Sequence, residues 1–330
     1  MIKPRFHVVV IATALLLLGA SADPSFMDLG RRHCALFFGG ELDKIWQNFS
    51  PEMKNALGSE NNLRAFYEQT REQLGKETAT IAETVEEVGA LSVYLRTARF
   101  EKLDQLIHVQ WAFDKKGVVA GFYIRPVQTE APSKYLDYET RTKLELPFEG
   151  KWFVVWGGRT IAENYHAFTV DQRFAYDILM MKDGSTHAGD GKRNQDFYCF
   201  GERILAPGAG LVVVMENGVE DNIPGVMNPK QALGNHVILD HGSGEYSFLA
   251  HFKKGTVAVE KGQRVVTGDL LGLCGNSGNS SEPHLHCHLQ NTPAFGLGEG
   301  LPAQFQGYLA DGKPVSRGEP VKGQAIRRGQ

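Results

Sequence analysis

Residues 280–289 read SSEPHLHCHL, with His284, His286 and His288 at every second position. Alternate side chains of an extended strand share a face, so this spacing sets three imidazoles on one side and Leu285, Cys287 and Leu289 on the other. Imidazole binds metals when neutral, and its unperturbed pKa lets it carry protons near physiological pH. Same-face neighbours on a strand stand roughly 6 to 7 Å apart, too far for both to reach one zinc ion at about 2.0 to 2.1 Å. One imidazole can therefore bind a metal while a neighbour acts beside it. The glycines and proline of CGNSGNSSEP, just upstream, form a turn-rich lead-in that aims the strand.

A catalytic zinc commonly keeps three protein ligands and an open position, so two more groups must come from elsewhere. The stretch ENYHAFTVDQRFAYDILMM offers His166, ahead of a turn-like segment, and Asp177, inside the apolar run 174–180. A carboxylate in such a run costs free energy unless something pairs with it. Either a metal is that partner or Asp177 faces solvent on an edge strand. His187 and Asp190 in STHAGDG form a competing pair, ranked second because glycine-rich polar loops hold ligand geometry less firmly. His251 ends the alternating strand YSFLAHF, where alternation places it with Ser247 and Leu249 and away from Tyr246, Phe248 and Ala250. A lone histidine at a strand end reads as structural; the downstream H-L-H run makes this one a candidate for chemistry. His288 receives no role.

The elements that would position these residues follow from pattern. In SENNLRAFYEQTREQLG the residues Leu63, Phe66, Tyr67, Thr70 and Leu74 keep helical spacing, with Ser59 as N-cap and Gly75 as stop. SPEMKNALG offers Ser50 as cap and Pro51 at the first helical position. From 78 to 126 the pattern changes to strands, the last two folded back at Asp114 to Gly117. Beyond 133 the chain is short strands punctuated by glycine turns. The expected fold is thus an α+β N-terminal domain over 23–126, a linker over 127–140, an all-β, barrel-sandwich-like antiparallel domain over 141–310, and a basic, partly flexible C-terminal tail over 311–330.

Lys3, Arg5, the apolar run 8–18 and the Ala20-Ser21-Ala22 pattern predict a secretory signal peptide over 1–22. The run is shorter than the about 20 residues a lasting membrane span needs. The mature chain is expected to be exported, periplasmic or extracellular, with no stable span. With 35 Lys plus Arg against 38 Asp plus Glu, bulk charge gives no footprint for nucleic acid. The four cysteines allow three complete pairings. Cys274 and Cys287 flank the GNSGNSSEP loop and read either as neighbours or as packed thiols.

The segment from GNHVILDHGSGEYSFLAHF through GNSGNSSEPHLHCHL resembles the core of the lysostaphin/LytM-type zinc endopeptidases, whose signature runs G-N-S/T-G-x-S-x-x-P-H-L-H. GERILAPGAGLVV resembles the same family's G-x-x-V-x-A-P-x-x-G-x-V strand pair, and the likeness covers roughly 150–310. Residues 24–126 more loosely resemble a cystatin-like or transport-factor-like accessory domain. The resemblance implies one Zn2+ per chain, His286 as a zinc ligand, and His284 and His251 as catalytic imidazoles. The family's other two ligands usually stand as H-x-G-x-D or H-x-x-x-D. This chain departs from that spacing, and its N-x-H followed by Q-R-F-A-x-D resembles a longer-loop branch, which selects His166 and Asp177. His288 stands where many members have Glu or Gln. The implied activity is hydrolysis of peptide stems or cross-links of bacterial peptidoglycan. Two rival readings are a non-catalytic regulator, whose sign would be missing histidines where here every position is filled, and a carrier module like VEKGQRVVTGDLLG, whose modifiable hairpin-tip lysine the matching stretch does not show.

Overall fold

The computed structural model describes residues 25–329, and the signal peptide expected over 1–22 lies outside the described residues. The chain divides between Val127 and Gln128 into two units.

Four helices lead the first unit: α1 (Ser25–Phe38), α2 (Leu42–Gln47), α3 (Pro51–Leu57) and α4 (Glu60–Leu74). Ser50 and Ser59 cap α3 and α4 as their sequences predict, accepting from the backbone N–H groups of Met53 and Asn62 at 3.2 and 3.3 Å. Each satisfies one of the donors a helix start leaves open. Strands β1 (Glu77–Val88), β2 (Leu91–Phe100), β3 (Leu103–Phe113) and β4 (Val119–Pro126) follow as an antiparallel meander in chain order. Phe37, Ile45 and Leu63 of the helices pack with Tyr94, Val109 and Trp111 of the sheet in one core. Fully burying such side chains contributes about 1.5–3 kcal/mol each.

The second unit is all-β. Its strands are β5 (Trp152–Trp156), β6 (Tyr176–Leu179), β7 (Arg203–Leu205), β8 (Gly210–Glu216), β9 (Asn235–Asp240), β10 (Tyr246–Phe252), β11 (Arg264–Val265), β12 (Leu270–Leu273), β13 (Leu285–Gln290), β14 (Gly300–Leu301), β15 (Phe305–Ala310), β16 (Lys313–Gly318) and β17 (Ala325–Arg328). Eleven of them, among the described residues, form one sheet in the order β11-β8-β9-β10-β13-β6-β5-β17-β15-β16, with β14 on β13 and with β7 and β12 as a separate ribbon. The fold class is the expected one, an α+β unit followed by an antiparallel all-β domain. The strand carrying His286 and His288, with His284 just ahead of it, sits between β10 and β6, near the middle of the sheet. Leu285, Cys287 and Leu289 turn into the main core beside Val237, Leu249 and Ile178.

Two expectations are corrected. Residues 311–330 form β16 and β17 rather than a tail. β17 bridges β5 and β15, with Ile326 fully buried opposite Trp152. β16 is an edge strand whose exposed polar residues suit an unpaired border, and that composition imitates a disordered tail. Most of the expected linker 127–140 belongs to the second unit. The Ala131 N–H donates to the Ala167 carbonyl at 2.7 Å, and the buried Glu245 carboxylate accepts from the Tyr138 hydroxyl and the N–H groups of Arg141 and Thr142 at 2.7–2.8 Å. Local composition cannot register partners a hundred residues away. Of the two readings of the cysteines, packed thiols is the one the structure shows, since all four are buried and free. Cys274 lies against Cys199, not Cys287, because strand alternation sends Cys287 into the core.

Candidate metal centre and active site

Register assembles the centre. β13 pairs with β6 so that His286 stands opposite Asp177, and with β10 so that it stands opposite Ala250. Directly opposed residues share a face, so Asp177 and His286 meet without any loop having to place them. His286 Nδ1 lies 2.8 Å from Asp177 Oδ1. The third member arrives from a short 3-10 turn, Tyr165–Phe168. His166 Nε2 lies 3.0 Å from the other carboxylate oxygen, Oδ2.

Asn164 holds that turn. Its side-chain oxygen accepts from the His166 N–H at 3.1 Å, while its amide donates to the carbonyls of Gly158 and Ala175 at 3.1 and 2.9 Å. With no exposed surface, Asn164 ties the turn to the lead-in of β6. The Tyr165 ring lies over His166 at 3.9 Å between centroids, and its hydroxyl bonds Asp177. Burial, then the Asp177 charge, pushes the Tyr165 phenol up, so it stays protonated and donates.

His251 is held by a different device. Plain alternation would turn it away from this face, but a β-bulge between Ala250 and Phe252 interrupts the pairing with β9, and His251 adopts φ of 67°. A left-handed backbone costs a non-glycine residue about 1–3 kcal/mol. Bulges re-aim side chains in this way. The bulge is tied at both sides: the His251 N–H donates to the Leu233 carbonyl at 3.1 Å, and its carbonyl accepts from Gly275 at 3.0 Å. The ring then sits 4.8 Å from His284 and 5.7 Å from His286 between centroids. His251 Nδ1 faces the Ser277 carbonyl at 2.8 Å. A carbonyl only accepts, so Nδ1 carries the proton and Nε2 keeps its lone pair. Ser277 is fixed in turn, its hydroxyl donating to the Phe252 carbonyl and accepting from the Asn235 N–H. Gly278 beside it has φ of 82°, and a Cβ there would lie 2.4 Å from Gly234 N. Only glycine fits that approach.

His284, just before β13, has the same tautomer logic. Its Nδ1 faces the Glu282 carbonyl at 2.8 Å, and its Nε2 lies 3.6 Å from Asp177 Oδ1. Burial disfavours charge on both imidazoles, but their neighbours differ. His251 is driven well below its ordinary value by burial and by His284 and His286. At His284 burial is outweighed by the Asp177 carboxylate, which lifts the ring to about 9. Asp177 itself is buried, and His166 and His284 hold its pKa well below the carboxylate range against that burial. One carboxylate thus sets a neutral and a proton-bearing imidazole side by side, the division of roles that acid–base chemistry uses.

Of the residues singled out by sequence, His166, Asp177 and His286 are brought together, with one ligand atom from each within 4.8 Å of the others. His251 and His284 border them. His187 and Asp190 join no such group among the described residues. His187 packs on Phe197, and Asp190 is exposed beside Lys192. Two imidazoles and a carboxylate are a donor set that zinc takes, and tetrahedral ligation separates ligand atoms by roughly 3.3 Å. The two contacts on Asp177 lie close to that separation, and all three side chains are buried. The residues fit the ion.

Residues 192–295 match peptidase family M23. The chain carries a peptidase family M23 domain. A segment of 89 residues, 27% of the chain, is 33% identical to the peptidoglycan DD-endopeptidase ShyA of Vibrio cholerae, and spans 17% of that protein's length. Among solved structures, the chain is similar to the catalytic domain of the antimicrobial peptidase lysostaphin from Staphylococcus simulans, with 20% identity over 46% of this chain and 88% of that one at a TM-score of 0.27. It is also similar to a zinc-containing peptidase from Vibrio cholerae, with 13% identity over 68% of this chain and 54% of that one, again at 0.27.

The M23 match contains His251, His284 and His286, while His166 and Asp177 precede it. The sequence gives no role to Asn164, Tyr165 or Ser277, although Asn164 and Ser277 stand inside the quoted N-x-H and G-N-S-G patterns. For Asn164 a signal existed, since an Asn two residues before a turn histidine is a capping position. The role of Ser277 is not local, because its partners Phe252 and Asn235 lie 25 and 42 residues away.

Proposed function

We propose that the second unit is a zinc-dependent endopeptidase that hydrolyses peptide bonds of bacterial cell-wall peptidoglycan, working outside the cytoplasmic membrane. The observation that carries this reading is the buried Asp177 carboxylate, which two imidazoles approach at 2.8 and 3.0 Å from different elements while a third stands at 3.6 Å. The M23 match and the name of the Vibrio cholerae relative support the substrate class. His166, Asp177 and His286 are the residues that would hold zinc. When bound, the ion supplies Lewis acidity to the scissile carbonyl and to the attacking water.

The chain's own groups supply the rest. His251, neutral and with its Nε2 lone pair free, takes a proton from the attacking water. The Ser277 carbonyl steadies the imidazolium that forms, through Nδ1–H. His284, anchored by the Glu282 carbonyl, presents Nε2–H to the developing oxyanion and then to the leaving amine. The H-E-x-x-H motif is absent from the sequence, and the imidazole pair takes the place of its glutamate base.

Release of soluble peptides from purified sacculi, measured with and without a chelator and after zinc is restored, tests this. Hydrolysis should vanish with the chelator and return with zinc. Undiminished release by Asp177→Ala would overturn the reading.

A further inference from the structure

Between β12 and β13 the segment 276–281 touches both bordering imidazoles. The Ser277 carbonyl faces His251 Nδ1 at 2.8 Å, and the Ser280 hydroxyl lies 3.2 Å from His284 Nδ1. Its sequence is NSGNSS, with no apolar side chain to anchor it in a core. Hydrogen bonds to its backbone must hold it instead.

A second loop, between β8 and β9, supplies them. The Asp221 carboxylate accepts from the Asn276 N–H at 2.7 Å, and the Asn222 N–H donates to the Asn276 carbonyl at 2.9 Å. The N–H groups of Asn228 and Gly225 donate to the carbonyls of Gly278 and Ser281 at 2.8 and 2.7 Å. The Asn222 side chain spans the middle of the segment, donating to the Gly278 carbonyl at 2.7 Å and to the Ser280 carbonyl at 2.9 Å. Carbonyls only accept, so the amide nitrogen must face them and the side chain has one orientation. From behind, the Asn194 amide donates to the Asn222 carbonyl at 2.7 Å. Asn222 is therefore fixed itself. Gly278 lacks the Cβ that would restrict its backbone, so it is the point at which the segment can swing. Its carbonyl is the one held twice, by Asn222 and by Asn228.

We propose that Asn222 is a positioning residue: its amide clamps the segment 276–281 on both sides of Asn279, keeping the Ser277 carbonyl on His251 and Ser280 beside His284. The inference rests on the catalytic roles proposed above for the two imidazoles and adds a residue that touches neither of them. A misplacement of about 1 Å in a reacting geometry can cost of order 10²-fold in rate.

The test is steady-state hydrolysis of a defined wall peptide by the full, zinc-loaded chain. Asn222→Ala should lower kcat about 10–100-fold while KM stays within about threefold. Asn222→Asp keeps the shape but turns an oxygen toward the two carbonyls, and should lose at least as much. Asn222→Ser, which can donate to one carbonyl, should fall between Asn222→Ala and wild type, and it decides the matter if Asn222→Ala does not fold. Thermal unfolding and zinc content by elemental analysis check that each variant is folded and loaded. Long-range proton–nitrogen NMR gives a signature that a merely structural role would not move. In wild type the His251 proton should sit on Nδ1, and in a folded variant lacking the clamp it should divide between Nδ1 and Nε2. A folded, loaded variant with wild-type kcat, or one whose His251 proton stays on Nδ1, overturns the clamp. So does a variant that changes KM alone, which would make Asn222 a substrate contact. Wild-type protein that cleaves no wall peptide overturns the hydrolase reading, while the NMR signature, which needs no turnover, still decides the clamp.

Discussion

His33 in the first unit and His286 in the second are equally hidden, each 3% exposed, yet their surroundings differ in kind. His33 donates from Nδ1 to the Leu29 carbonyl at 2.8 Å and accepts at Nε2 from the Asn48 amide at 3.1 Å, with Trp111 and Phe113 around the ring. Each nitrogen has one neutral partner, and burial lowers its pKa so that it stays uncharged. Nothing is left over for a ligand. His286 faces a carboxylate whose two oxygens are shared with His166 and His284. Burial does not separate the two histidines; competition of several imidazoles for one buried charge does.

The hardest way to break that comparison is to remove the shared charge. Asp177→Ala should weaken zinc roughly a thousandfold or more, on the scale of the 3–5 kcal/mol that follows breaking a buried charge pair, and should abolish hydrolysis. Asp190→Ala should leave metal content by elemental analysis at the wild-type level. Equal metal loss in both would show the wrong acid has been chosen. Next comes His251→Ala, which should keep full zinc stoichiometry and lower turnover about 10²–10⁴-fold, the range for losing a general base. Loss of zinc there would exchange the ligand and catalytic roles.

These expectations depend on features that were unequally legible in the sequence. The alternation in PHLHCHL marks strand and face together, because period-2 patterning is local. Ser50, Ser59 and Gly75 marked their helix ends for the same reason. The opposition of Asp177 to His286 is a register between residues 109 positions apart, and no local pattern encodes it. His251 is the sharpest case: alternation assigned it to the wrong face, and one bulge with a left-handed residue reversed the assignment. β16 escaped because an edge strand of charged and small residues has the composition of a tail, and β17 because four residues are too few to show a period.

A smaller effect separates the two histidines from the other side. His33→Ala should destabilise the first unit by about 2–4 kcal/mol, from the cavity left beside Trp111 and the one Asn48 N–H that loses its acceptor while the other stays on the Gly117 carbonyl, with zinc affinity unchanged. Chemical unfolding followed beside chelator competition checks both. A change in zinc affinity would mean that the buried histidines of the two units are not independent.

The smallest effect uses the second unit's other buried carboxylate. Glu245, with no exposed surface, is to Asp177 what His33 is to His286: its oxygens take N–H groups of Arg141 and Thr142 and the hydroxyls of Tyr138 and Thr142. Burial alone would raise its pKa, but these donors outweigh burial and lower it from the ordinary 4.5. A depressed carboxylate pKa stabilises the fold fully above the unfolded value, and that stabilisation is lost as pH falls through the folded value. In Glu245→Gln an amide N–H must face a donor, at a cost of about 1–3 kcal/mol. The gap in unfolding free energy between wild type and Glu245→Gln should therefore be largest near about pH 7, hold down to roughly 4.5, and close below it as wild-type Glu245 takes up a proton. Because both proteins keep Asp177 and its histidines, acid effects at the metal centre cancel in the difference. A gap that widens in acid would mean Glu245 is already protonated in the folded protein, and the contrast with Asp177 would then be one of charge and not of partners.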